Sequence, residues 1–228
     1  MIDHVRDLAS VREATERLLS AAAALDNAAV AAPSRLPGWT RGHVLAHVAR
    51  NADALVNALE GRPMYPDADT RDAEIERDAA RRLDVQLGDV RDTDARFHRV
   101  AEAPADWART VTLRNGVTDV AARLPFRRWG EIELHHVDLG IGRDLEDLSE
   151  EFVTREIEFL AERFAGNPDL PALALTAPGG RTWNTGGTQD GPLPVSGPAP
   201  DLMGWLSGRR DGAALKCEGG PLPALPPL

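Results

Sequence analysis

Glycine and proline are distributed unevenly along this chain, and their distribution limits the possible folds more than any single motif does. Residues 166–228 hold 12 of the 20 glycines and 11 of the 17 prolines. Both residue types are unfavourable inside helices, so we expect long helices before this region and short strands and turns within it. The sequence therefore predicts two parts with different architectures.

The first part has the apolar spacing of three and four residues that is typical of helices with one buried face. Four segments show this spacing with few interruptions: 11–25, 40–59, 69–101 and 117–141. The second has a clear start, because Leu36 to Trp39 has the composition of a turn and Thr40 is suited to N-capping. Four helices of this length favour an up-and-down four-helix bundle.

Beyond residue 148 the pattern changes to one further long helix and several short apolar segments that are typical of strands. Helices are predicted at 149–164 and 200–206, and strands at 172–176, 193–196 and 213–217. We therefore expect a four-helix bundle domain over residues 1–148, followed by a smaller C-terminal α/β domain over residues 149–228.

The composition excludes several classes of function. The chain has 26 basic and 36 acidic residues and a net charge of −10, so we expect no nucleic-acid partner. No apolar run reaches the roughly 18 residues that a membrane span needs, and the N-terminus lacks a signal-peptide pattern, so we expect a cytoplasmic protein. The single cysteine, Cys217, excludes a cysteine-based zinc cluster, and metal ligands must come from His, Asp or Glu.

Four of the six histidines form two clusters on predicted helices. His43 and His47 are four residues apart and share one helical face, but His47 lies nearer the apolar stripe of that helix. His47 is therefore the better candidate for a ligand inside the bundle.

The second cluster lies on the fourth predicted helix. Glu131, His135 and Asp138 follow one another at spacings of four and three and form one narrow stripe. Such a stripe can present a carboxylate and an imidazole to one ion, while Asp138 orients a ligand. Glu133 with His136 is an alternative pair that is less well aligned.

One histidine of the second helix, together with Glu131 and His135, would provide three ligands and leave a coordination position open, as in catalytic zinc sites. A Glu–His pair at this spacing also stabilises a helix without any metal. The spacing alone leaves both interpretations open.

Three stretches of the sequence resemble the mycothiol-dependent maleylpyruvate isomerase family. They are Leu36 to Leu55, Glu131 to Gly140 and Trp205 to Arg209. The resemblance implies a DinB-like four-helix bundle that binds a divalent metal, usually zinc, and a smaller C-terminal α/β domain. It also implies that mycothiol, an external thiol, is the coenzyme.

The resemblance also assigns individual residues. It makes His47, Glu131 and His135 the metal ligands and places Asp138 in the same motif. From the second domain, Arg209 would bind the acidic substrate, although the adjacent Arg210 is an alternative.

Other residues near these motifs have two interpretations. Trp39 either lines the thiol pocket or packs beside the start of the helix. Arg127 and Arg128 are either electrostatic contacts for substrate or thiol, or solvated charges of the helix.

The implied reaction converts maleylpyruvate to fumarylpyruvate in gentisate degradation. A carbon–carbon double bond must become temporarily single, and a thiolate that adds reversibly to the conjugated alkene achieves this. Cys217 is one candidate sulfur, but it lies in a Gly/Pro-rich segment with no nearby histidine. Mycothiol at an open metal position fits better, because coordination deprotonates a thiol.

Two other functions are compatible with the sequence. A mycothiol S-transferase would use the same activated sulfur on another electrophile and release the conjugate. A metal- or small-molecule-binding regulatory module would bind a ligand without turnover. We expect a monomer whose partners are mycothiol and a dicarboxylate substrate.

Overall fold

The computed structural model describes residues 2–103, 105–188 and 191–226. The chain divides into two units, the first ending at Arg143 and the second beginning at Asp144. This division lies five residues before the boundary predicted from composition. None of the helices in the described ranges is both long enough and apolar enough to cross a membrane.

The N-terminal unit is built around four long helices, which confirms the predicted bundle. They are α1 (His4–Ala22), α3 (Arg41–Leu59), α5 (Leu83–Ala101) and α6 (Leu124–Asp138), and the unit also contains the shorter helices α2 (Asn27–Ala31) and α4 (Ala68–Ala79). Helix α3 packs against α4, α5 and α6, and α1 packs against α5 and α6. Fully buried apolar side chains fill the space between the long helices, among them Leu18, Leu45, Phe97 and Ile132.

The helix predicted at 69–101 is wrong as a single element, because the chain breaks between α4 and α5. The break contains neither glycine nor proline, so periodicity alone does not reveal it. It is stabilised by Gln86, whose side-chain amide donates to the carbonyls of Asp78, Ala79 and Arg81 at 2.9–3.2 Å. A side chain from the following helix therefore satisfies the carbonyls at the end of α4.

The helix predicted at 117–141 begins later than expected, at Leu124. The preceding residues form an antiparallel hairpin of β1 (Thr110–Thr112) and β2 (Thr118–Val120). Asn115 and Gly116 lie in its turn with φ of 59° and 73°. An Asn-Gly pair is a strong hairpin signal, because both residues tolerate positive φ, and here it outweighs the apolar spacing.

The C-terminal unit combines two helices with one small mixed sheet, as the predicted α/β domain requires. Its elements are α7 (Glu150–Phe164), β3 (Leu173–Thr176), β4 (Thr182–Thr185), β5 (Leu193–Ser196), α8 (Ala199–Leu206) and β6 (Lys216–Cys217). The strand order is β4-β3-β5-β6, with β3 and β5 parallel and the other pairs antiparallel. The strand predicted at 213–217 is shorter than expected, because Leu215 donates a turn hydrogen bond to Gly212.

Candidate metal centre

The start of α3 determines the different environments of its two histidines. Thr40 caps the helix, accepting from the backbone N–H of His43, while the Thr40 N–H donates to Nδ1 of His43 at 3.2 Å. Nε2 of His43 lies 3.0 Å from Glu76. His43 therefore stabilises the helix start, and His47, one turn later, is buried in the bundle.

The structure brings together the three residues that the sequence singles out on α3 and α6. Nε2 of His47 and Nε2 of His135 lie 2.9 and 3.3 Å from the same oxygen, Oε2 of Glu131. The two imidazole rings approach edge to face, with their centroids 4.5 Å apart. One potential ligand atom from each residue lies within 4.8 Å of the other two.

Asp138 fixes the orientation of His135. Nδ1 of His135 donates to Oδ2 of Asp138 at 2.8 Å, and Asp138 is only 1% exposed. This bond leaves Nε2 of His135 directed at Glu131. The arrangement is a carboxylate–histidine pair of the kind that orients metal ligands in proteins.

At neutral pH two of the three residues in the cluster have the protonation state that metal binding requires. Burial, together with the neighbouring His135, lowers the pKa of His47 to about 4. Burial favours a protonated Glu131, but hydrogen bonds from His135 and His47 outweigh it, and the pKa of Glu131 lies well below its usual value. At neutral pH His47 is therefore neutral and Glu131 is ionised.

His135 behaves differently from His47. Burial alone would lower its pKa, but hydrogen bonds to Asp138 and Glu131 outweigh this effect, and the pKa of His135 is raised. His135 therefore retains a proton up to a higher pH than an ordinary histidine, and a metal must displace this proton in order to bind.

The donor set fits a divalent metal. Two imidazole nitrogens and one carboxylate oxygen are the ligand types of catalytic zinc sites, which keep a further position for water or substrate. The Glu131 side chain is 35% exposed, compared with 10% for His47 and 11% for His135. Glu131 is thus the most exposed of the three side chains, although its carboxylate is still largely surrounded by the protein.

Glu133 and His136, the alternative ligand pair on α6, contact arginine and tryptophan side chains. The Glu133 carboxylate accepts from Arg17 and Arg143, both at 2.8 Å, and from Nε1 of Trp129 at 3.3 Å. Burial and the charge of Arg143 lower the pKa of His136 to about 4. Two guanidinium groups neutralise the Glu133 carboxylate. The Glu133–His136 pair therefore forms ion pairs within the protein and does not resemble a metal site.

Arg127 and Arg128, which precede Glu131 on α6, form ion pairs or hydrogen bonds with other residues of the N-terminal unit. Arg127 pairs with Asp119 at 2.7 Å. Arg128 is fully buried and donates to the carbonyl of Val48 at 2.7 Å and to Asn51 at 3.0 Å. The interpretation of Arg128 as a solvated charge is therefore wrong, and burial also keeps it from touching a substrate.

Two further side chains, Trp39 and Arg71, lie beside His47, and Tyr65 interacts with Arg71. The Trp39 ring lies 5.6 Å from the His47 ring and stacks on the His43 ring at 6.0 Å. Arg71, on α4, places a guanidinium nitrogen 3.3 Å from Nδ1 of His47. Tyr65 interacts with Arg71; burial raises the pKa of its phenol, and Arg71 partly opposes this rise. Sequence reasoning missed Arg71 and Tyr65, which belong to no helical stripe shared with the ligands.

The two candidate arginines of the C-terminal unit both form hydrogen bonds within that unit. Arg210 donates to both carboxylate oxygens of Glu146, at 2.6 and 2.7 Å, and to Asp201 at 2.6 Å. Nη1 of Arg209 donates to the carbonyl of Ser207 at 2.9 Å. Arg210 is thus held by two carboxylates of its own unit, and the choice of Arg209 over Arg210 for a substrate carboxylate stays a prediction.

Cys217 lies in strand β6, as the interpretation as a strand residue predicts. It is partly exposed, and its sulfur lies 3.8 Å from the carbonyl of Pro221.

Comparison with known proteins places this architecture in a family. The mycothiol maleylpyruvate isomerase N-terminal domain matches residues 11–140, and the MDMPI C-terminal domain matches residues 147–227. The crystal structure of the mycothiol-dependent maleylpyruvate isomerase is similar, with a TM-score of 0.85 and 26% identity over 99% of this chain and 97% of that chain. The crystal structure of a histidine-to-alanine mutant of the mycothiol-dependent maleylpyruvate isomerase matches with the same coverage, a TM-score of 0.84 and 25% identity.

No curated protein has a sequence significantly similar to this chain. The two domain matches together nevertheless cover nearly all of it, in the expected order. The chain therefore belongs to the mycothiol maleylpyruvate isomerase family.

Proposed function

We propose that this protein is a metal- and mycothiol-dependent isomerase that converts maleylpyruvate to fumarylpyruvate. The observation that carries the proposal is the convergence of His47, Glu131 and His135 on one point, in a chain whose fold matches maleylpyruvate isomerase structures. The proposed metal is zinc, since the donor set is the one that catalytic zinc prefers.

In this proposal His47, Glu131 and His135 hold the metal. When bound, a divalent metal at this position supplies the positive charge that keeps a coordinated thiol ionised near neutral pH. Asp138 keeps the His135 ring in place through Nδ1. Glu131 is the most exposed of the three side chains, and in this proposal it borders the position of thiol and substrate.

The remaining roles concern the substrate. Cis-to-trans conversion requires the double bond to become single for long enough to rotate, and negative charge develops on the neighbouring keto oxygen. Arg209 provides a bidentate cation for a substrate carboxylate, which a protein with a net charge of −10 needs locally. The Trp39 ring, beside His47, lines the position of the thiol.

The proposal is tested by incubating the purified, zinc-loaded protein with mycothiol and maleylpyruvate. We expect rapid loss of the cis isomer with no net consumption of thiol. Stoichiometric loss of thiol with formation of a stable conjugate would instead identify a mycothiol S-transferase. Tight ligand binding without turnover of either kind would indicate a regulatory module.

Two variants of α3 provide a matched pair for this test. The His47→Ala variant removes a proposed ligand, so we expect it to lose both metal and activity. The His43→Ala variant removes the neighbouring imidazole, which contacts Thr40 and Glu76 instead. We expect this second variant to retain its metal and turnover.

A further inference from the structure

Arg71 occupies a distinctive position beside the ligand cluster. Its guanidinium Nη2 lies 3.3 Å from Nδ1 of His47, and its Nη1 lies 2.6 Å from Asp72. The Arg71 side chain is 15% exposed, whereas that of Asp72 is 66% exposed. An ion pair with such an exposed partner contributes little to stability, so Arg71 can exchange this partner for another anion at low cost.

The contact with His47 determines where the hydrogen of this imidazole resides. Arginine has no acceptor, so Arg71 must donate and Nδ1 of His47 must accept. In a neutral imidazole the other nitrogen, Nε2, then carries the hydrogen and donates it to Glu131 at 2.9 Å.

This hydrogen position is incompatible with His47 as a metal ligand through Nε2. A nitrogen that binds a metal must offer its lone pair, so the hydrogen of the neutral ring must move to Nδ1. Nδ1 and Arg71 would then both be donors facing each other across 3.3 Å. The arginine must leave His47 when the site is loaded.

We propose that Arg71 binds a carboxylate of the substrate beside the metal, and that metal loading releases it from His47 for this purpose. The inference about the ligand rests on the proposed dicarboxylate substrate. Planar guanidinium groups bind carboxylates through two parallel hydrogen bonds, which orients the ligand as well as attracting it.

A cavity lies next to Tyr65, the residue that interacts with Arg71. Tyr65 interacts with Arg71 and also lines a cavity of about 640 Å³ formed by the end of α3, the loop after it and the β1–β2 hairpin. Arg62, Arg109 and Arg114 line the same cavity, with Asp67 as an acidic residue. Arg62 also pairs with Glu60, but Arg109 and Arg114 leave an excess of positive charge, which favours an anionic occupant over a cationic one.

The test measures binding rather than turnover. Cobalt(II) replaces zinc as a visible probe, maleate serves as an unreactive dicarboxylate, and no thiol is added. The proteins are wild type, Arg71→Gln, Arg71→Lys and the control Arg82→Gln, which removes an arginine that is exposed and pairs with Asp84. Zinc affinity is measured separately by competition with a chelator.

We expect maleate to perturb the cobalt spectrum of the wild type with a Kd at least tenfold lower than in Arg71→Gln. Arg71→Lys, which keeps the charge but not the planar fork, should lie between them, and Arg82→Gln should match the wild type. Zinc should bind Arg71→Gln as tightly as wild type or several-fold more tightly, because the repelling charge is gone and the Gln carbonyl can accept from Nδ1.

Two results would overturn the inference. One is equal maleate affinity in wild type and Arg71→Gln, and the other is weaker zinc binding by Arg71→Gln, which would make Arg71 a support for the metal. These outcomes are independent of the isomerase proposal. If wild type shows no isomerisation but Arg71→Gln loses maleate affinity, the role of Arg71 is supported and the proposed reaction fails.

Discussion

Nδ1 of His135 lies 2.8 Å from Oδ2 of Asp138, one turn further along the same helix, and this bond determines which ring nitrogen faces Glu131. Asp138 is almost completely buried, so its carboxylate has little contact with water. Helix α6 thereby contributes a ligand pair together with the residue that aligns it. The geometry of the proposed metal centre therefore depends on one segment of α6 and on His47 of α3.

The first prediction concerns this alignment. The Asp138→Ala variant leaves all three proposed ligands in place but removes the acceptor that orients His135. We expect zinc affinity to fall about 10- to 100-fold, which is the usual effect of losing such an orienting partner. Chelator competition measures the affinity, and far-UV circular dichroism checks that the bundle is intact. Unchanged affinity in a folded variant would show that Asp138 does not act through His135.

The second prediction separates the two histidines of α3 by their effects on stability and on metal content. His43→Ala should cost about 0.5–1 kcal/mol of unfolding free energy, because His43 and Thr40 cap each other's backbone N–H groups. Elemental analysis should still find stoichiometric metal. His47→Ala should retain the helix start but lose the metal. Metal loss in both variants would contradict the division of roles between the cap and the cluster.

The alignment of Glu131, His135 and Asp138 on one face of α6 is largely predictable from the sequence, because it depends on local helix geometry. Spacings of four and three residues place Glu131, His135 and Asp138 on one face of any α-helix. The choice of His47 over His43 follows from the apolar stripe of α3 in the same way. Such arguments work because helix geometry converts sequence distance into spatial distance without reference to the rest of the fold.

Features that depend on contacts between distant segments are not predictable in this way. Arg71 lies on α4, which is separated from α5 by a break, and Gln86 of α5 donates to the carbonyls at the end of α4. The hairpin before α6 did have a local signal, Asn115-Gly116, which the apolar spacing of the region concealed. The structure thus differs from the predicted helices at two places, and at each of them a tertiary contact or a turn outweighs helical periodicity.

The third prediction concerns the pH dependence of metal binding. The pKa of His135 is raised, so below that pKa a metal must displace a proton from His135. Zinc affinity should therefore fall about tenfold for each pH unit below the raised pKa and become independent of pH above it. His47 should add a second proton only as the pH approaches its pKa of about 4. Calorimetry in buffers of different ionisation enthalpy counts the protons released.

The same experiment on Asp138→Ala provides a control. Loss of the Asp138 hydrogen bond removes the main interaction that raises the pKa of His135. The onset of proton competition should therefore move to lower pH in this variant. An unshifted onset would mean that another group releases the proton.

The last prediction concerns the two adjacent arginines of the C-terminal unit. Arg210 bridges Glu146 and Asp201, so Arg210→Ala leaves two carboxylates without their partner and should lower the unfolding free energy by about 1–2 kcal/mol. Arg209→Ala removes a proposed contact to substrate, so it should reduce kcat/KM for maleylpyruvate by at least tenfold, a larger loss than in Arg210→Ala. Urea denaturation and steady-state kinetics on the same preparations distinguish the two effects. A loss of kcat/KM in Arg210→Ala that exceeds the loss in Arg209→Ala would reverse the assignment, because Arg210 would then be needed for more than the ion pairs of its own unit.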